Sequence, residues 1–170
     1  MELVVVAHDG TAAPPPVPYR RVFRGLFALT ALFLAIMCSM GQAAGSEKRL
    51  CQLIRAVAPG KYVHYSILGY VGAVTLVTVV MFPAAGIVGA IFPGVWGAAD
   101  FLPGFVYIMA VAAVAEASAR VLSEEIYFPV HLVGFVCTAV MGGVFFDIGE
   151  AVEAMGFLRY LFLSHYFMSN

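Results

Sequence analysis

The stretch DFLPGFVYIMAVAAVAEASARVLSEE, Asp100 to Glu125, decides the class of fold. From Phe101 to Leu122 it is an apolar run interrupted by two charged side chains, Glu116 and Arg120. A run of about 20 apolar residues is what an α-helix needs to cross the hydrocarbon core of a bilayer. The stretch therefore predicts a membrane-spanning helix that carries charge within it.

The composition of the whole chain agrees with a lipid environment. Of the 170 residues, 62% are hydrophobic and 11% are charged, and the mean hydropathy is +0.95. A soluble domain averages about 45–50% apolar and about 25% charged residues. The net charge of −1 gives no reason to expect a nucleic-acid partner. We therefore expect an all-α, multi-pass integral membrane protein.

Hydropathy and turn residues divide the chain into four predicted spans, which would put both termini on one side of the membrane. A four-transmembrane-helix bundle at residues 22–147 follows a flexible, proline-rich tail at 1–21 and precedes a short amphipathic helix at 148–170. Between the first two spans, apolar residues at helical spacing predict a short helix on the membrane surface. Proline and glycine in residues 84–98 allow either a long second span or a broken hairpin, and we favour the long span. The predicted spans are about 23–44, 64–83 or to 92, 101–122 and 127–146.

Three charged residues of the quoted stretch are the candidate sites. Glu116 lies about six residues, or about 9 Å, from the end of its span at 1.5 Å per residue. Arg120 at i+4 stands in the favourable order for a helical ion pair, which predicts a structural charge pair. An acid inside a membrane helix also suggests an ion or proton site, or a polar contact to another subunit. Asp100 is predicted to cap the helix, because a negative charge suits a helix N-terminus.

Small residues are the predicted sites of helix packing, because lipid tails are as apolar as leucine and close contact must hold the bundle together. In the third span the predicted packing stripe is formed by Ala110, Ala113 and Ala117, and a second alanine stripe at 112, 115 and 119 lies beside it. These residues predict either a tight bundle or an interface with a partner. The predicted packing residues are Gly41, Gly45, Ala110, Ala113, Ala117, Gly134 and Gly142.

No catalytic, cofactor or metal site is predicted. The sequence has no HExxH, CxxC, P-loop or GxSxG motif, so we expect no enzyme. His64 and His131 would share a level in a simple up-down bundle, which makes a bis-histidine haem conceivable. A single pair without a flanking motif favours histidines at the membrane surface instead. Aromatic residues near the span ends are expected to form an interfacial belt: Tyr19, Tyr62, Tyr65, Trp96, Tyr107 and Tyr127.

Cysteine and asparagine usage favours an intracellular or organellar membrane. Cys38, Cys51 and Cys137 form no pair within one loop, so no extracellular disulfide framework is expected. The only asparagine is Asn170, so the sequence has no N-glycosylation signal.

Four segments together resemble the MARVEL family of four-span membrane proteins. They are RRVFRGLFALTALFLAIM, YVHYSILGYVGAVTLVTVV, DFLPGFVYIMAVAAVAEASA and FPVHLVGFVCTAVMGGVFF, which cover residues 20–146. The resemblance lies in an arginine-led first span, a third span that starts with an acid and becomes alanine-rich, and an aromatic-led fourth span. It implies a role in membrane organisation, trafficking or scaffold assembly without catalysis.

The sequence thus predicts a non-catalytic scaffold or assembly protein. It would bind membrane lipids or other membrane protein subunits and form a homo- or hetero-oligomer. One alternative is an accessory structural subunit of a large organellar complex, such as a mitochondrial respiratory or ATP synthase assembly. Another is a small transporter or channel component that uses Glu116 and Asp100.

Overall fold

The computed structural model describes residues 18–43, 45–141 and 167. This described part contains five helices and no strand, so the all-α prediction is confirmed. Three of the helices are long and apolar enough to cross a membrane, with mean hydropathies of 2.0, 2.2 and 1.8 in chain order. The chain is therefore a helical membrane protein. The helices are α1 Pro18–Ala43, α2 Gly45–Val57, α3 Pro59–Ile91, α4 Ala98–Val121 and α5 Glu124–Met141, and the three apolar ones are α1, α3 and α4.

A fourth crossing remains a prediction. The predicted span 127–146 coincides with α5 as far as Met141, and residues 142–146 lie outside the described part. Over its 18 described residues, α5 is not among the helices that qualify as spans by length and hydropathy. The predicted amphipathic helix at 148–170 also lies outside the described residues, except for Phe167.

Two helix boundaries differ from the simplest sequence expectation. α1 begins at Pro18, so residues 18–21 of the predicted flexible tail are helical, because proline suits the first turn of a helix. The rest of that tail, residues 1–17, lies outside the described part. α3 continues through Pro83 to Ile91, which is the longer of its two predicted ends. The chain then turns at Gly94, whose φ of +91° is a conformation that favours glycine.

Two contacts establish that α1 and α4 run in the same direction. Near the start of both helices, Arg24 contacts Asp100. Near the end of both, the Ser39 hydroxyl donates to Oε1 of Glu116 at 3.1 Å. We call the end of the bundle that holds Asp100 the aspartate end, and the opposite end, which holds the last turns of α4, the glutamate end.

α3 and α5 run against α1. Phe82, late in α3, packs on Phe27, early in α1, with ring centroids 6.0 Å apart. Tyr127, in the first turn of α5, donates a hydrogen bond to the carbonyl of Ile36, late in α1, at 3.3 Å. α2 therefore lies at the glutamate end, between the end of α1 and the start of α3.

The most extensive packing in the described part joins α1 to α4, and small residues allow it. Each helix turns a stripe of fully buried alanines into this contact. Short side chains let the two backbones approach, so many weak dispersion contacts form along the whole length of the pair. The alanines are Ala28, Ala31 and Ala35 on α1, and Ala112, Ala115 and Ala119 on α4.

The predicted packing residues need correction, because they are not the ones that close this interface. Ala113 and Ala117 face outward on α4, and Ala110 is only half-buried, since the neighbouring stripe faces α1 instead. Gly41 and Gly45 belong to different helices, because α1 ends between them. Gly134 is exposed and nothing lies within 4 Å of the position of an added Cβ, and Gly142 lies outside the described residues.

Candidate functional site

Asp100 is the most deeply buried charged side chain at the aspartate end, and it joins α1 to α4. Its position in the first turn of α4 lets Oδ2 accept a hydrogen bond from the Gly97 backbone N–H at 2.8 Å. Its Oδ1 contacts the guanidinium of Arg24 and lies 3.2 Å from Nη2 of Arg20. Asp100 is 1% exposed and Arg24 is 7% exposed, so the pair is withdrawn from solvent. The carboxylate contacts the backbone at the start of α4, and it also binds two arginines one helical turn apart.

An aromatic cluster packs beside this ion pair. Trp96 stacks on Phe27 with ring centroids 4.7 Å apart and meets Phe23 edge-on at 5.8 Å. α3 passes close behind Trp96 at Gly89, where an added Cβ would lie 2.6 Å from the Trp96 carbonyl oxygen. Phe167 joins the same cluster, 5.6 Å from Phe27. These rings exclude water from the aspartate end. A lower local dielectric constant strengthens the attraction between the Asp100 carboxylate and the Arg24 guanidinium.

This burial corrects the predicted aromatic belt. Trp96, Tyr107 and Tyr127 are at most 5% exposed, because their polar atoms or rings find partners inside the bundle. The Tyr107 hydroxyl donates to the Ala28 carbonyl at 3.1 Å, and the Tyr127 hydroxyl donates to that of Ile36. Tyr19 and Tyr65 are exposed and Tyr62 is half-buried, and their position at the membrane surface stays a prediction.

Glu116 forms the second buried polar contact of the α1–α4 pair. It is 2% exposed, and Ser39 on α1 donates to its Oε1 at 3.1 Å. Its Oε2 lies 3.4 Å from Nη2 of Arg120, so the structure brings together the two residues that the sequence predicted to pair. The same nitrogen of Arg120 lies 3.2 Å from the Ser66 carbonyl oxygen on α3. Glu116 and Arg120 therefore connect α1, α4 and α3 through one short chain of polar contacts.

The two histidines considered for haem are both engaged in local contacts. Nδ1 of His64 lies 2.7 Å from the Gly60 carbonyl oxygen of its own helix. His131 has Nε2 at 2.9 Å from the Ser118 hydroxyl and Nδ1 at 2.8 Å from the Tyr127 carbonyl oxygen. Both nitrogens of His131 therefore have partners on α4 and α5. Within the described residues, no three histidine, cysteine or acidic side chains come together as a metal site would require.

The sequence prediction missed the Arg24–Asp100 pair and the role of Ser39. A signal for the first was present, because Arg20 and Arg24 are one turn apart at the start of the first span. In an up-down bundle, the first and third spans enter from the same side, so an acid at the start of the third span lies at the same depth. Ser39 carried no such signal, because a lone serine in an apolar helix usually bonds to its own backbone.

Known proteins add no further constraint on this site. Comparison with family models, curated proteins and solved structures finds no match for the chain. The resemblance to MARVEL proteins stays a prediction, and the function must be argued from the geometry.

Replacing Glu116 by glutamine is expected to have a modest effect on stability. The amide oxygen still accepts from Ser39, and Arg120, whose side chain is 34% exposed, can turn toward the membrane surface. We expect a loss of about 1 kcal/mol in the free energy of unfolding, the usual contribution of one hydrogen bond. Unfolding in mixed detergent–dodecyl sulfate micelles, followed by the fluorescence of Trp96, the only tryptophan, measures it. The exposed Glu125→Gln is the control. A loss above about 3 kcal/mol for Glu116→Gln would show that the bundle needs the charge of Glu116, which a neutral amide cannot replace.

Proposed function

We propose that the chain is a non-catalytic, multi-pass integral membrane protein that acts as a scaffold or assembly factor. It binds other membrane proteins or lipids in an intracellular or organellar membrane, as a homo- or hetero-oligomer. In this proposal α5 makes a fourth crossing, and both termini lie on the same side. Phe167 supports the fourth crossing, because it packs on Phe27 at the aspartate end whereas α5 starts at the glutamate end.

The observation that carries the proposal is that the two carboxylates buried within the described residues both make contacts between helices. Asp100 binds arginines of α1, and Glu116 binds a serine of α1 and an arginine of its own helix. An acid that carries ions or protons has to exchange partners along a water-filled path. Carboxylates held by a buried guanidinium, a backbone N–H and a hydroxyl are instead suited to fixing how helices pack. This favours a structural role over the transporter alternative.

The outer surface of α3 provides room for membrane partners. Only one narrow stripe of this 33-residue helix is buried, and it contains Ala73, Val77, Met81 and Ala85. On other faces of the helix many apolar side chains are exposed, among them Leu68, Val79 and Ile87. Such a surface is stable in lipid or against another apolar helix. A scaffold can use such a face to bind another membrane helix or lipid.

Native electrophoresis after extraction with a mild detergent tests the proposal. We expect a discrete complex a few times larger than the 18.2 kDa chain, containing either copies of the chain or a small set of membrane proteins. Comigration with a very large assembly would replace the scaffold role by that of an accessory subunit. Ion or proton flux in liposomes that contain the purified chain, lost in Glu116→Gln, would establish the transporter alternative instead.

A further inference from the structure

A cavity of about 480 Å³ lies at the glutamate end, where α2 faces the start of α3 and the last turn of α4. Its walls carry two cationic side chains, Arg55 of α2 and Arg120 of α4, and the hydroxyl groups of Tyr62 and Ser66 from α3. Gln52 and mainly apolar residues of α2 and α3 complete the wall. A mainly apolar cavity that carries cationic and hydroxyl groups, at the edge of a membrane helix bundle, is suited to the headgroup of a lipid.

An adjoining groove continues from this cavity along the outside of the bundle. It has a volume of about 420 Å³, runs between α3 and α4, and shares Tyr62, Ser66 and Arg120 with the cavity. Beyond these shared residues it is lined mainly by apolar side chains, namely Val63, Ile67, Tyr70, Ala113 and Ala117. The outward alanines of α4 make the groove deep enough to receive a chain. The two spaces therefore form one site with a cationic head and an apolar tail.

The charges of this site favour an anion. The Arg55 guanidinium lies 5.8 Å from the centre of the Tyr62 ring, a cation–π contact that holds the arginine beside the cavity. Arg120 makes its contacts to Glu116 and Ser66 through Nη2, and a guanidinium has five N–H donors, so others can reach a ligand. Among the described residues that line either space, Glu116 is the only acid, and it is held by Ser39 and Arg120.

We propose that the joined spaces bind one anionic phospholipid. The phosphate lies between Arg55 and Arg120, and one acyl chain follows the groove between α3 and α4. Guanidinium groups match the geometry of phosphate oxygens, which explains two arginines at the head. The groove that opens directly beside them selects a lipid over a soluble phosphate. The inference rests on the proposed membrane function, since it places α2 and the ends of α3 and α4 at the lipid headgroups.

Native mass spectrometry of the full-length chain, released from detergent micelles, tests the site. Dioleoylphosphatidylglycerol is titrated against dioleoylphosphatidylcholine, and the first bound lipid is counted. We expect one phosphatidylglycerol to bind at least about tenfold more tightly than phosphatidylcholine, and Arg55→Gln to reduce that preference roughly fivefold, the contribution of one basic residue near an anionic headgroup. Arg49→Gln, on the same helix but exposed and outside the cavity, is the matched control and should leave the preference unchanged.

A second variant tests the acyl groove without changing charge. Ala117 is exposed on α4, so Ala117→Phe fills the groove while leaving the buried α1–α4 contact intact. We expect it to weaken phosphatidylglycerol binding about as much as Arg55→Gln does.

Equal binding of the two lipids, or equal effects of Arg49→Gln and Arg55→Gln, would overturn the proposal. Full competition by soluble glycerol phosphate, with no effect of Ala117→Phe, would assign the site to a free phosphate instead. If the chain assembles as expected on native gels but shows no lipid preference, the lipid site is overturned and the proposed scaffold function stands.

Discussion

Replacing Asp100 by alanine is expected to lower the free energy of unfolding by about 3–5 kcal/mol, the cost of leaving a buried partner charge uncompensated. Arg24 is 7% exposed, so its guanidinium cannot easily reach water when the carboxylate is removed. The variant also removes the contact to the Gly97 N–H at the start of α4. Mixed-micelle unfolding, followed by Trp96 fluorescence, measures the loss close to the changed site.

A double-mutant cycle separates the ion pair from the other roles of Asp100. In Arg24→Met with Asp100→Ala, the buried unpaired charge is gone, and apolar residues often replace a buried ion pair at little cost. Arg20 loses the same carboxylate, but its side chain is 47% exposed and can stay in contact with water. We therefore expect the double variant to be more stable than Asp100→Ala alone, with a coupling energy of about 2 kcal/mol or more between the two positions. The exposed Glu125→Ala should stay within about 0.5 kcal/mol of the parent chain. Additive single effects would mean that Asp100 acts as a helix cap and no more.

The three long apolar helices could be predicted from the sequence because each is encoded by an apolar run of its own residues. The length of an apolar run predicts the length of the helix that it forms. The quoted stretch predicts a span at 101–122, and the observed helix α4 covers Ala98–Val121. The continuation of α3 through Pro83 was also expected, because the apolar sequence continues beyond the proline. A membrane helix tolerates a proline when neighbouring groups satisfy the freed backbone carbonyl. The Glu116–Arg120 contact lies within one helix and was visible for the same reason.

What could not be predicted is how the helices face each other. Ala112 and Ala113 have the same side chain and adjacent positions, and 100° of rotation places one inside and the other outside. The alanines themselves do not tell which stripe faces a neighbour, because lipid and protein are equally apolar. Trp96 and Tyr107 were expected at the membrane surface for a similar reason. Their burial depends on Phe27, Ala28 and other residues far away in sequence.

Replacing Ala115 by leucine provides the sharpest test of which alanine stripe holds the bundle together. Ala115 is 1% exposed and belongs to the same buried cluster as Ala31 and Ala35 of α1. A leucine side chain has no room there, so α1 and α4 must separate. We expect a loss of about 1–3 kcal/mol from overpacking, and more if the separation also breaks the hydrogen bond between Ser39 and Glu116.

Ala113→Leu is the matched control, because it makes the same chemical change two residues earlier on the same helix. Ala113 faces outward, so leucine there should change stability by no more than about 0.5 kcal/mol. The pair of variants also distinguishes packing from helix propensity, since alanine and leucine are both strong helix formers and any propensity difference applies equally to the two positions. A larger loss for Ala113→Leu than for Ala115→Leu would mean that α4 is rotated from the orientation described. Asp100 and Glu116 lie on the same face of α4 as Ala115, so their contacts with α1 would then be wrong as well.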